Sequence, residues 1–246
     1  MKQRTVSIMY SGGLDSLIAY HYARAYGYDP ICINVDFGQP YNIKEEAGLS
    51  LAPNLVRLRI DGLYKAIEHR LSNQIIPSRN VLLAVIGSMF SNIVWINALD
   101  GEQNGKERDK SPRFFSDASI LLSYTNEFFQ NKTEVESPFY RMSKGEVIRW
   151  ALEDGKIPKE TLFVTSSCYD SGILKCGKCL TCVKRYLAFL ENGIKEPGYA
   201  SDPLESDYYK ELLIEIPKAN EAKDYSRFTE KRIEEFLKLQ IQEMFR

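Results

Sequence analysis

The chain has 246 residues, 44% of them hydrophobic and 26% charged, and a formal net charge of -1. That length builds one substantial core with appendages, and the composition excludes a largely disordered or membrane-embedded chain. The near-neutral charge gives no global attraction to a polyanion and weighs against a dedicated nucleic-acid binder. No apolar run approaches the roughly 20 residues that span a bilayer. The opening Met1-Lys-Gln-Arg-Thr-Val-Ser lacks a signal-peptide core, so a cytoplasmic address is expected.

Apolar β-type runs alternate with helical stretches through the first half, which predicts an α/β fold with a parallel sheet flanked by helices. In chain order the pattern predicts a strand at 5–10, a helix at 16–26 and a strand at 30–35. A helix at 42–51, a strand at 55–60, a helix at 80–92 and a strand at 94–98 follow. Residues 100–110 turn polar and rich in Gly, Asn and charge, the composition of a long surface loop of the kind that serves as a lid. Ser143-Lys-Gly-Glu146 is a capping box, opening a helix at 144–154 that Gly155 stops. A helix at 183–190 precedes a linker at 197–207. From 229 an amphipathic helix places Ile233, Phe236, Leu237, Ile241 and Met244 on one face, for core packing or, alternatively, a subunit or partner contact. The expected division is an α/β domain at 1–160, a metal-binding segment at 161–195 and a helical extension at 196–246.

Tyr10-Ser11-Gly12-Gly13-Leu14-Asp15-Ser16 joins the first strand to the first helix. There a loop can aim backbone amides and the positive helix end at an anion. Adjacent glycines permit close approach, and the serines add hydroxyl donors. No lysine follows the glycines, so this is not the loop of γ-phosphate-transferring P-loop enzymes. An ordinary tight turn capped by Asp15 or Ser16 is the plainer alternative. The string resembles the pyrophosphate loop of the ATP-pyrophosphatase superfamily. That resemblance implies ATP cleavage between the α and β phosphates, ATP held by residues 10–16, and Asp15 near Mg2+.

Cys168, Cys176, Cys179 and Cys182 fall within fifteen positions. Their spacing can wrap one tetrahedral ion, and four sulfur ligands would make a structural Zn2+ site without a position for catalytic water. An iron–sulfur cluster is the rival assignment. Cys32 lies in a predicted strand and reads as core.

These pieces together resemble the QueC family of queuosine biosynthesis over most of residues 1–185. Val35-Asp36-Phe37-Gly38-Gln39 is similar to the family's Phe-Asp-Tyr-Gly-Gln, and Pro77-Ser78-Arg79-Asn80 to its Pro-Gly-Arg-Asn. Glu136-Ser137-Pro138 is similar to Glu-Thr-Pro, and Lys144 matches a family lysine at a helix start. The implied fold is the Rossmann-like, adenine nucleotide alpha-hydrolase-like sheet, with a cysteine zinc knuckle after it. The implied chemistry is adenylation of 7-carboxy-7-deazaguanine, amidation by ammonia, and a second ATP-driven dehydration to the nitrile. On that resemblance Asp15, Arg79 and Lys144 are the catalytic candidates, Asp36 and Gln39 join the ATP site, and Arg79 and Asn80 are substrate contacts; Arg113 and Asp117, where the chain departs from the family, are further candidate substrate contacts, Asp117 in place of the family's carboxylate. A homodimer is the implied assembly.

The chain also departs from the pattern. Lys110-Ser111-Pro112-Arg113-Phe114 stands where the family carries Gly-Tyr-Pro-Asp-Cys, Asn97-Ala98 stands for its Thr-Gly, and the chain runs well past the cysteines. These departures open two alternatives. One is a QueC-like ligase joining a deazaguanine to a protein or other amine, as in antiviral defence or phage relatives. The other is a tRNA-modifying enzyme with the same phosphate loop.

Overall fold

The computed structural model describes residues 4–39, 42–71, 76–102, 108–127, 132–168, 170 and 174–244. Five parallel strands form one sheet in the order β3-β2-β1-β4-β5. They are β1 (Arg4–Met9), β2 (Tyr28–Asp36), β3 (Val56–Arg59), β4 (Ile93–Trp95) and β5 (Glu134–Glu136). The chain moves outward from β1 to β3, then returns to pair β4 with β1, placing Ser7 opposite Val94. The reversal between β1 and β4 opens a crevice at the strands' carboxyl ends, where ligands of such sheets bind.

Each crossover helix is formed by an apolar stripe facing the sheet. In α1 (Leu14–Ala25) the residues Leu14, Leu17 and Ile18 are fully buried, and Gly27, at φ +79°, turns the chain out into β2. With α2 (Asn42–Leu49), α6 (Lys144–Glu153) and α7 (Lys159–Val164), α1 contributes to the core on one face, around Ile8, Trp95, Phe139 and Ile148. On the other face α3 (Leu63–Ile67), α4 (Arg79–Ser88) and α5 (Pro112–Thr125) meet Ile33, Val35, Val94 and Val135. A third cluster joins α8 (Leu180–Leu190) to α9 (Asp207–Ala222) and α10 (Glu230–Met244). No described helix is long and apolar enough to cross a membrane.

The capping box stands as read: Ser143 Oγ accepts from the Glu146 amide at 3.2 Å, and Glu146 Oε2 accepts from the Ser143 amide at 2.9 Å. In α10 the buried face is Ile233, Phe236 and Leu239, whereas Ile241 is 52% exposed. At about 100° per residue the buried arc centres on Phe236, which carries Ile241 roughly 140° away. The side chain of Met244 lies outside the described residues. So does 103–107, the middle of the expected lid. Its flanks are a turn, in which the Glu102 amide donates to the Leu99 carbonyl at 3.2 Å, and a short 3-10 helix, Arg108–Lys110.

Candidate active site

The stretch at 11–16, the candidate phosphate loop, leaves β1 at its carboxyl end. Gly12 takes φ +77°, and Gly13 is the N-cap of α1, whose carbonyl accepts from Ser16 Oγ at 2.8 Å. The opening amides of a helix have no intrahelical partner and carry its positive pole, so they are available to an anion. Two neighbours press on this loop. A Cβ on Gly12 would stand 2.5 Å from the Glu45 carbonyl oxygen, and one on Gly48 would stand 1.8 Å from the Gly12 carbonyl oxygen. Helix α2 therefore backs the loop by direct backbone contact that only glycine allows. A Cβ on Gly13 would meet the Ser166 carbonyl oxygen at 3.4 Å, so the stretch leading to the cysteines forms another wall. Tyr10 and Leu14 point their side chains into the core, Tyr10 with its hydroxyl on the Gly48 carbonyl at 3.0 Å, and offer the loop only their backbones.

Asp15 sits in the first turn of α1, where the capping box of α6 delivers Lys144. Lys144 Nζ lies 3.1 Å from Asp15 Oδ2, with the side chains 15% and 25% exposed. The other carboxylate oxygen, Asp15 Oδ1, is buried with no hydrogen-bond partner among the described residues. A buried carboxylate oxygen left over beside a phosphate loop fits a hard divalent cation shared with phosphate. Glu102, from the loop after β4, closes this side: its carboxylate accepts from the Leu99 amide and from Lys110 Nζ, each at 3.1 Å. Burial works to raise the Glu102 carboxyl, but the charges of Lys110 and Lys144 outweigh it and hold it below its ordinary value. Nearby on the same β4 end, Asn97 Oδ1 is buried and lacks a partner among the described residues. Ser137 ties this end to β5, accepting from the Ala98 amide at 2.9 Å and donating to the Ala98 carbonyl at 2.8 Å.

At the end of β2 Asp36 accepts from the Gly38 amide at 2.7 Å, and Gln39 accepts from the Phe37 amide at 3.0 Å, two side chains that fix the turn. Glu45 has its carboxyl pushed up to about 7 by burial, with Arg79 opposing the shift and Asp36 adding to it. The three groups therefore share one neighbourhood beside the loop. Arg79 opens α4 directly after Ser78, which is held at φ +57° where the resembling motif has glycine. Asn80 is buried and donates to the Asp109 carbonyl at 3.1 Å, so it fixes the segment before α5. Arg113 and Asp117 pair with each other at 3.2 Å on α5, with 89% and 63% of their side chains exposed.

Sequence reading missed Glu45, Gly48, Glu102 and the Ser166–Ser167 wall. Gly48 carried a signal, a glycine inside a helical pattern, which often marks close backbone approach. The others came from stretches read as an ordinary helix, a lid and part of the metal-binding segment.

The four cysteines meet. Their sulfurs all lie within 4.8 Å of one another, and Cys176 Sγ and Cys182 Sγ are 3.8 Å apart. Sulfurs bound tetrahedrally at about 2.3 Å from zinc would be separated by roughly 3.8 Å, so the donor set and its spacing fit that ion. Cys179 caps α8 and Cys182 lies in its first turn, so the start of that helix fixes two of the four sulfurs. Gly177 has φ +76°, and a Cβ there would stand 1.9 Å from the Ser201 carbonyl oxygen. The segment is held by Arg185, which is buried, donates to Glu196 at 2.6 Å and to Thr165 at 2.9 Å, and reaches the Leu162 carbonyl at 2.8 Å.

The profile of the family described as queuosine biosynthesis protein QueC matches residues 55–193. The 7-cyano-7-deazaguanine synthase of Methanococcus aeolicus is 26% identical over 227 residues, covering 76% of this chain and 95% of the relative. That of Thermoplasma acidophilum is 25% identical over 236 residues, covering 85% and 94%. That of Methanosarcina mazei is 35% identical over 129 residues, covering 50% and 52%. Among solved structures, the predicted subunit of tRNA methyltransferase from Methanocaldococcus jannaschii has a TM-score of 0.45 and 17% identity, covering 61% of this chain and 75% of that one.

Proposed function

The chain belongs to the QueC family and is an ATP-dependent ligase of that kind, and we propose that it converts 7-carboxy-7-deazaguanine and ammonia to 7-cyano-7-deazaguanine. A substrate carboxylate oxygen attacks the α-phosphorus of ATP and expels pyrophosphate. Ammonia then attacks the acyl carbon, AMP leaves, and the amide forms. The amide oxygen attacks the α-phosphorus of a second ATP and expels a second pyrophosphate, and loss of AMP and the two amide protons leaves the nitrile.

The observation that supports this reading best is the meeting of Lys144 with Asp15 at the head of the phosphate loop, 3.1 Å apart. In this reading Ser11, Gly12, Gly13 and Ser16 cradle the leaving pyrophosphate, and Lys144 sets a fixed positive charge beside it. Asp15 would hold Mg2+, which supplies charge neutralisation at the phosphate oxygens. Arg79 offers a planar fork to a phosphate or to the substrate carboxylate. Asp36 and Gln39 line the nucleotide side. Asn97 Oδ1 is an acceptor available to an N–H of the base, while Arg113 and Asp117 would meet substrate only at its solvent-facing edge. Catalysis then rests on positioning and electrostatics rather than on a covalent enzyme intermediate. We assign the four cysteines to structural zinc and the protein to the cytoplasm, where thiols stay reduced.

The test is mass spectrometry of products from ATP, magnesium, 7-carboxy-7-deazaguanine and ammonium, with pyrophosphate followed in parallel. The reading expects nitrile or amide together with pyrophosphate, and a rate about 100-fold lower or less for Lys144→Met. An acid left unconsumed, or a deazaguanine mass appearing on a protein, overturns it.

A further inference from the structure

Helices α9 and α10 lie beyond the stretch matched by the family profile, which ends at residue 193. The N-terminal end of α10 nonetheless touches both the segment that carries Glu102 and the segment that carries Lys144, the partner of Asp15. Thr229 Oγ1 donates to Asp100 Oδ2 at 2.8 Å and accepts from the Arg232 amide at 3.3 Å, so one hydroxyl caps the helix and grips the turn after β4. That turn packs closely: a Cβ on Gly101 would meet Arg232 Cγ at 3.5 Å and Thr229 Oγ1 at 3.8 Å. Glu102 follows at once. Lys231 reaches the other segment, donating to the Arg141 carbonyl at 3.2 Å and to Glu146, the capping-box glutamate of α6. Lys144 lies inside that box. The turn and the α6 approach are themselves joined, the Asp100 amide donating to the Met142 carbonyl at 2.9 Å. The clip is anchored from behind, since Ile233, Phe236 and Leu239 are buried against α8 and α9.

We infer that Thr229 and Lys231 are positioning residues: the C-terminal extension clamps the 99–102 turn and the start of α6 in one register, so that Glu102 stays beside Lys144 and Lys144 stays on Asp15. The inference rests on the ligase reading only for what Lys144 and Asp15 do; the clamp itself is a statement about order in two segments. Neither residue touches a reacting atom, and both act through the groups they hold. A clamp of this kind shifts ligand affinity by an amount typical of residues coupled to a site without contacting the ligand.

The experiment compares the full chain with Thr229→Val, Thr229→Ser and Lys231→Met. Amide hydrogen exchange is read over 97–102 and 142–147, and affinity is measured for α,β-methylene ATP with magnesium. Thr229→Val is expected to speed exchange in both segments and weaken nucleotide binding roughly threefold to tenfold, with Thr229→Ser restoring both. Faster exchange confined to α10, or unchanged exchange and affinity, overturns the clamp. Should Thr229→Val fail to fold, Lys231→Met gives the same readings with the α10 cap intact. If the unaltered chain does not bind the nucleotide, the ligase reading falls, and exchange over the two segments alone decides the clamp.

Discussion

Gly48→Ala is the perturbation that tests the phosphate loop most sharply, because two physical terms predict opposite signs. Gly48 lies within a helix, and helix propensity alone would have alanine stabilise it by about 1 kcal/mol, raising Tm by about 2–4 °C in a chain of this size. The added Cβ, however, would stand 1.8 Å from the Gly12 carbonyl oxygen and 2.7 Å from the Gly12 carbonyl carbon, where ordinary contact begins near 3.4 Å. One backbone or the other must retreat by roughly 1.6 Å, and overpacking of this sort costs about 1–3 kcal/mol. Because Gly12 is the left-handed turn of the loop, its displacement disorders the amides that would face phosphate. Misplacement of about 1 Å at such a site costs on the order of 100-fold. Calorimetric titration with α,β-methylene ATP and magnesium should therefore show affinity reduced about 100-fold, with Tm lowered rather than raised. Gly27→Ala is the control. Unlike the helical Gly48 it has a positive φ of +79°, but nothing lies within 4 Å of its Cβ, so it should cost about 1 kcal/mol and leave affinity unchanged. A Gly48→Ala protein that melts higher and binds as the parent does would refute the reasoning.

Three further outcomes follow from the same geometry. Purified protein should carry about one zinc per chain by plasma mass spectrometry, and Cys179→Ser should lose the metal and melt lower; retention of the metal by that variant would contradict a four-sulfur site. Burial raises the Glu191 carboxyl to about 7, with Glu235 and Glu146 adding to the shift against Arg232 and Arg149. The folded state then binds more protons than the unfolded one between its ordinary value and about 7, so this contribution is present in full at low pH and is lost as pH rises through 7. Melting followed between about pH 5 and pH 8 should show that loss, and Glu191→Gln should flatten it. Ser78 sits at φ +57°, a conformation that costs a side-chain-bearing residue roughly 1 kcal/mol. Ser78→Gly should recover about that amount in urea unfolding, less its added chain entropy, and no gain in stability would mean the strain is absent.

What was legible in the sequence was what periodicity and local chemistry encode. The strand–loop–helix around the phosphate loop and the Ser143–Glu146 box are contained in a few consecutive residues, and the cysteine spacing constrains its own geometry. Helices whose signals are mixed were not placed individually, α9 being expected only as part of a helical extension at 196–246. In α9 Pro217 interrupts an otherwise helical pattern, yet Leu212 and Ile216 are buried and outweigh the lost bond. In α5 Ser111 caps and Pro112 opens the helix, a start signal that was present but read as a motif departure. Strand β4, expected at 94–98, forms at Ile93–Trp95, whereas β5 is only three residues long, too short for alternation to register. The site residues that escaped, Glu45, Gly48 and Glu102, owe their importance to neighbours far off in sequence. Only the packing of α2 on the loop and of the 99–102 turn beside Lys144 discloses them.

The loop's surroundings arrive in instalments along the chain. Gly12 is backed by residues 45–48, Asp15 meets its cation at Lys144, and Gly13 gains its wall only from Ser166. During synthesis from the N-terminus, the strand and helix that bracket the loop are made long before the lysine, and the lysine before the wall. A nascent chain thus carries the loop without its full surroundings for most of its translation. The loop's last wall arrives only with the stretch running into the cysteines, still ahead of α9 and α10, so on the proposed reading a chain cut short before residue 166 would lack a complete nucleotide site.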